Sequence, residues 1–151
     1  RVPLAQRAIN AAPVTSSVQP LVGDPLPGRR LLVLDNELSI LHSMAALLEQ
    51  WGCTVVTAVD QEAAVQALDG QAPDLILADF HLDHDVLGCD VVAYLRRHFG
   101  SPIPAVMITA DRSDQCRRAL QRMGMPLLNK PVKPGKLRAV VSQLLRESSL
   151  L

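Results

Sequence analysis

The chain lacks net charge: fifteen Lys and Arg residues balance fifteen Asp and Glu residues. No global field therefore draws it to nucleic acid or to an anionic membrane, and any partner has to be recognised locally. Cysteine is scarce. Cys53, Cys89 and Cys116 are odd in number, widely spaced and without a C-x-x-C pair, which argues against a disulfide framework or a zinc site and for reduced, buried thiols acting as small apolar residues. No apolar run is long enough to cross a bilayer and no secretory signal is visible, so a cytoplasmic location is expected. Neither a G-x-G-x-x-G nor a Walker loop follows any candidate strand, which leaves little room for a nucleotide or flavin binder.

What is present is the material for one globular domain. The chain has 151 residues, 48% hydrophobic and 20% charged, a balance that buries a real core and does not suit disorder. Residues 1–29 differ from the rest. They hold Pro3, Pro13, Pro20, Pro25 and Pro27 with no apolar period, and read as an extended linker from which Val14, Val18, Leu21 and Val22 could dock onto the body. The folded domain is expected over 30–148. A first residue of Arg suggests a piece cut from something longer.

From Arg30 onward, short apolar runs alternate with segments of helical period, the pattern of βα units around a parallel sheet. Strands are predicted near 30–35, 54–58, 74–79, 104–109 and 126–129, and helices near 37–51, 60–69, 90–99, 112–123 and 134–147. Buried stripes follow the helical spacing: Leu41, Met44, Ala45 and Leu48 in the first helix, Cys116, Ala119, Leu120 and Met123 in the fourth, and Leu137, Val140, Val141 and Leu144 in the fifth. Gly52, Gly70, Gly100 and Gly124 stand where helices end, and Pro134 suits a first helical turn. Five such units with right-handed crossovers give an α/β, flavodoxin-like, doubly wound sheet of order 2-1-3-4-5 with five helices. In that order strands 1 and 3 are neighbours, which brings Asp35 and Asp79 together.

The strand ends carry the chemistry. Leu31-Leu32-Val33-Leu34 runs into Asp35-Asn36-Glu37, Leu75-Ile76-Leu77-Ala78 into Asp79, Ala105-Val106-Met107-Ile108 into Thr109-Ala110, and Leu127-Leu128 into Asn129-Lys130-Pro131. The C-terminal edge of an open α/β sheet is where ligands collect. Clustered carboxylates there repel one another and need a cation, and hard oxygen donors select Mg²⁺ or a relative such as Mn²⁺. A lysine adds a compact positive charge for a carboxylate or phosphate oxygen, and a Thr hydroxyl can donate to the same oxygens. Together these parts point to phosphoryl transfer to a carboxylate.

In these four motifs, present in order and at matching separations over about residues 29–147, the chain resembles the receiver domains of two-component response regulators, whose fold is the CheY-like form of the sheet just described. The resemblance implies that Asp79 is the phosphoacceptor and Asp35 a metal-site carboxylate. It implies that Thr109 closes on the phosphoryl group, that Lys130 is its charge partner, and that the His81 backbone carbonyl is a further Mg²⁺ ligand. Lys130-Pro131 would be the family's cis peptide. A receiver catalyses the gain and loss of its own aspartyl phosphate, with the phosphohistidine of a histidine kinase or a histidine phosphotransfer protein as partner. The turn at Asp35-Asn36-Glu37, the Trp51-Gly52-Cys53 segment and the Ala78–Asp83 and Pro131–Pro134 stretches look like the C-terminal receivers of hybrid sensor histidine kinases, with Arg1-Val2-Pro3-Leu4 similar to the close of a kinase's ATP-binding domain. The end at Leu150-Leu151, directly after the fifth helix, agrees with a receiver that has no output domain behind it.

The chain departs from the family pattern in three places. Asn36 stands where most receivers carry a second acid, so its amide oxygen ligates with one charge less and weaker Mg²⁺ binding is expected. The loop from Asp79 to Gly88 is one residue longer than usual. Leu127 holds the position of a switching aromatic, so the usual paired rotation with Thr109 cannot operate in that form. Asn36 and Leu127 also motivate an alternative, a degenerate receiver that serves only as a docking module. His81, Asp83, His84 and Asp85 read as a solvated loop, because their spacing fits no zinc pattern. Arg112, Arg117, Arg118 and Arg122 read as the wet face of the fourth helix, without the aromatics that stack on bases. The surface of helix 4, strand 5 and helix 5 is a second reading there, as a protein interface or a homodimer face. His42 reads as a surface residue and Trp51 as a cap on the core.

Overall fold

A computed structural model describes residues 25–110 and 113–149. Five strands and five helices alternate: β1 (Arg30–Leu34), α1 (Leu38–Gln50), β2 (Thr54–Ala58), α2 (Gln61–Leu68), β3 (Leu75–Asp79), α3 (Gly88–Phe99), β4 (Ala105–Thr109), α4 (Asp114–Met123), β5 (Leu127–Asn129) and α5 (Pro134–Ser149). All strand pairs are parallel and the order is β2-β1-β3-β4-β5, as the βα pattern predicts. One short 3₁₀ turn, Asp83–Asp85, interrupts the loop between β3 and α3; no periodic signal announces it.

The alternation of side chains along each strand divides the core into two layers. Leu31, Val33, Leu75, Leu77, Val106, Ile108 and Leu128 pack with α1 and α5. Leu32, Leu34, Ile76, Ala78, Ala105 and Met107 pack with α2, α3 and α4. With both faces covered, the central strand β3 is buried at every position, which is why it reads as an unbroken apolar run ending in a carboxylate.

The helix stripes hold in α1, where Leu41, Met44 and Leu48 are buried, and in α4, where Cys116 and Leu120 are. In α5 the buried face is centred on Val141 and flanked by Leu137 and Leu145, while Val140 and Leu144 are only half-buried. The expected stripe is therefore rotated, because the helix presents its i, i+4, i+8 row to the sheet. The body also begins earlier than the apolar period suggests. Leu26, within the predicted linker, is fully buried against the α1 and α5 layer, and the Gly28 N–H donates to the Gly52 carbonyl at 2.8 Å. The rest of that linker, residues 1–24, lies outside the described residues, as does Arg112.

Gly88 positions the functional strand. As the first residue of α3, its N–H donates to the Phe80 carbonyl at 2.8 Å, and a Cβ built there would lie 2.0 Å from the Asp79 carbonyl oxygen. Only a residue without a side chain lets α3 start this close to β3. Gly88→Ala is expected to cost about 2–3 kcal/mol, measured by urea unfolding; a loss under about 0.5 kcal/mol, the range of neutral surface changes, would contradict this close approach.

Candidate functional site

Three strand ends meet on one side of the sheet. Asp79 is the register partner of Ile108, which faces α1 and α5. Asp35 follows Leu34 and Lys130 lies two residues beyond Leu128, so the alternation puts both on that same face. Thr109 has the opposite parity. It neighbours Ile108 along β4 and is fully buried, so it reaches the sheet edge from the α2–α4 side. The predicted residues thus divide into a triad of Asp35, Asp79 and Lys130, with Thr109 across the strand ends from it.

Backbone bonds fix each member. The Asp35 N–H donates to the Ala58 carbonyl at 3.2 Å, and Asp35 Oδ1 accepts from the Glu37 N–H at 2.9 Å. That bond serves the start of α1, whose N-cap Glu37 makes no side-chain cap of its own. The Phe80 N–H donates to the Ile108 carbonyl at 2.8 Å and the Lys130 N–H to the Thr109 carbonyl at 2.9 Å, which extends the sheet by one residue past β3 and β5. The Lys130–Pro131 peptide is cis, as the resemblance implies.

Lys130 Nζ donates to Asp35 Oδ2 at 3.1 Å and to Asp79 Oδ2 at 3.2 Å, with Glu37 Oε1 at 4.0 Å. The carboxylates are buried, at 3% and 8% exposure. One ammonium thus serves two carboxylates that little water reaches. Burial, followed by the charge of Asp35, pushes the Asp79 carboxyl above its ordinary value, against the opposing pull of Lys130 and of the His81 backbone N–H. Burial pulls Lys130 downward, but its hydrogen bonds to Asp35 and Asp79 and their two charges outweigh this and raise it. Both shifts describe a cluster short of one positive charge.

The donor set suits a hard divalent cation. Among the described residues no three His, Cys, Asp or Glu side chains converge on one point, so beyond Asp35 and Asp79 a third protein donor has to be an amide or backbone oxygen. Asn36, next to Asp35, and His81, two residues past Asp79, carry oxygens of that type. The Asn36 amide is half-exposed, and its Nδ2 donates to Asp83 Oδ1 at 2.8 Å. His81 forms an isolated antiparallel bridge with Leu87, whose hydrogen bonds are carried by Phe80 and Leu82 on one side and Val86 and Gly88 on the other.

A cleft of about 530 Å³ opens beside the triad between α1 and the Pro131–Val132 turn; Asp35, Asp79 and Lys130 line it and Thr109 does not. His81, Asp83, His84 and Asp85 are exposed, as are His42, Arg117, Arg118 and Arg122. Trp51 is half-buried under the Arg138 guanidinium, 5.5 Å from its ring centre. Leu127 pairs with Met107 and is half-buried. Two residues of the site have no clear signature in the sequence. Asp83 looks like ordinary loop polarity, although an acid in the loop after Asp79 could have been weighed against the amide at 36. Gly88 could have been noticed as a glycine at a helix start, where it ends no preceding helix.

The raised Asp79 value has a sign that stability measurements can read. Its folded value lies above the ordinary 3.8, so its ionisation costs stability at neutral pH, and the cost fades as pH falls through the folded value toward the unfolded one. Asp79→Asn is expected to stabilise the fold by about 1 kcal/mol at pH 7, with the gain shrinking near pH 4. Urea unfolding at both pH values checks this; a wild-type chain more stable than the variant at pH 7 would rule it out.

Comparison with known proteins agrees with the geometry. The response regulator receiver domain family matches residues 31–142. The chain is 34% identical over 123 residues to the phosphate regulon transcriptional regulatory protein PhoB of Escherichia coli K12, covering 80% of this chain and 53% of that protein. It is 30% identical over 146 residues to the sensor protein GacS of Pseudomonas syringae pv. syringae, covering 90% of this chain and 16% of that protein. The chain thus spans about half the length of the transcriptional regulator and a smaller part of the sensor. A CheY-like receiver domain structure from Methanospirillum hungatei JF-1 superposes with a TM-score of 0.71 at 23% identity, over 81% of this chain and 97% of that one, a likeness of fold. With the family matched across most of the folded body and the strand ends arranged as described, the chain belongs to the response regulator receiver domains of two-component systems.

Proposed function

We propose that this receiver accepts a phosphoryl group on Asp79 from the phosphohistidine of a histidine kinase or a histidine phosphotransfer protein. The observation that carries the reading is the single Lys130 ammonium held between Asp35 and Asp79. An Asp79 carboxylate oxygen attacks phosphorus, the P–N bond breaks, and the departing imidazole nitrogen keeps the electron pair and takes a proton from solvent. Burial and the charge of Asp35 make the Asp79 carboxylate more basic, and so a better nucleophile toward phosphorus, while the charge that arrives with the phosphoryl group has to be met by the cations of the site. Lys130 is already within reach of the oxygens that take up the charge, and the Thr109 hydroxyl serves them from the other face. A Mg²⁺ or Mn²⁺ ion held by Asp35, Asn36, Asp79 and the His81 carbonyl would supply the charge neutralisation that phosphoryl oxygens need. Attack of water on phosphorus returns the carboxylate and inorganic phosphate, which closes the switch.

The same reading extends to the parent protein. The alignment with GacS takes in 90% of the chain, more than residues 25–151 can fill, so it reaches into the proline-containing segment before the receiver. This supports a receiver tethered through that segment to a sensor protein; on our reading that parent is a hybrid histidine kinase, the receiver lies in the cytoplasm, and it passes its phosphoryl group on to a histidine phosphotransfer protein. No helix among the described residues is long and apolar enough to cross a membrane.

Intact mass after incubation with acetyl phosphate tests the reaction. The expected result is a gain of one phosphoryl group that requires Mg²⁺ and is lost in Asp79→Asn, with the rate in Lys130→Ala reduced about 100-fold, the scale of losing one charge-stabilising donor. A folded wild-type chain that gains nothing at high Mg²⁺ would refute phosphoryl acceptance and favour the docking module.

A further inference from the structure

The Asn36–Asp83 hydrogen bond joins two loops whose residues are 47 positions apart in the chain, at the one place where an amide replaces an acid. An amide is a two-faced ligand. Its oxygen can bind a cation and its nitrogen cannot, and rotating the group exchanges them. A carboxylate partner removes that choice, because it offers only acceptor oxygens and therefore takes the NH₂ side. With Nδ2 committed to Asp83 Oδ1 at 2.8 Å, the atom left over is Oδ1, for which no hydrogen-bond partner is found among the described residues. Asp83 itself is exposed and the turn it opens is short, so removing its side chain leaves no cavity in the core.

We propose that Asp83 is the positioning residue for Asn36: by capturing the amide nitrogen it presents the amide oxygen to a divalent cation and restores part of the cation affinity that the lost acid removes. This rests on the cation-dependent reading given above. An acid at 36 would need no such partner, since its two oxygens are equivalent, and Asp83 would then be a neighbouring like charge. The role of Asp83 therefore depends on the identity of residue 36, which a general electrostatic contribution would not.

Mn²⁺ binding to the full chain, followed by electron paramagnetic resonance of the free ion, separates the two in a double-mutant cycle of Asp83→Ala and Asn36→Asp, with urea midpoints as the folding control. Asp83→Ala alone is expected to weaken Mn²⁺ binding about 10-fold, the lower end for losing a residue that orients a ligand, with its urea midpoint unchanged. In the Asn36→Asp background the same substitution is expected to change affinity by less than about 2-fold, because the oriented amide is gone. An equal loss in both backgrounds, or no loss in the first, overturns the positioning role and leaves the phosphoryl-acceptance reading standing. Failure of the unsubstituted chain to bind Mn²⁺ at all overturns both.

Discussion

One ammonium shared by two buried carboxylates is the constraint around which the C-terminal edge of this sheet is organised. It requires β1 and β3 to be adjacent, which the strand order provides at its switch point, and it requires a chain segment from the far edge of the sheet to reach back to them. β5 does this with Lys130, held to β4 through its backbone N–H. Ion pairs removed from water gain little net stability, because desolvation offsets most of the attraction. The triad is thus better understood as a site kept ready than as a fastening, and the raised Asp79 value is the sign of it.

The core explains why such a site can be maintained. Two layers of aliphatic side chains clamp β3 on both faces, so an unfavourable carboxylate at its end does not unravel the strand. Asp79 has its neighbours fixed by the sheet: Phe80 by Ile108, and its own carbonyl by the close approach of Gly88. Side-chain parity then places Lys130 and Thr109 on opposite sides of Asp79.

Much of this was legible because it is periodic. Strand and helix placement follows from spacings of 2 and 3.6 residues, and the strand order from the handedness of βα units; Asp35, Asp79, Thr109 and Lys130 are found by asking what each strand runs into. The parts that were not legible depend on contacts without a period. Leu26 sits among prolines and polar residues, and only the pocket beside α1 and α5 makes it core. The pairing of Asn36 with Asp83 depends on the path of a loop that turns through His84 and Asp85 at positive φ, which no local pattern encodes. Gly88 matters because of what approaches it from 9 positions earlier in the chain.

The exchange of an acid for Asn36 has two consequences with one cause. A third carboxylate beside Asp35 and Asp79, even a half-exposed one, would deepen the shortage of positive charge that a single lysine already fails to meet, and the cation-free fold would bear that cost. An amide at 36 avoids it. The same omission removes attraction for a cation, and Asp83 can return only part, because an exposed charge is screened by water and salt. Relief of the cation-free state and loss of cation affinity are therefore coupled through one charge, and moving that charge from the half-exposed turn after β1 to the exposed loop after β3 sets where the compromise lies. A cation held at this site would be bound less tightly, and the fold has less repulsion to overcome without one.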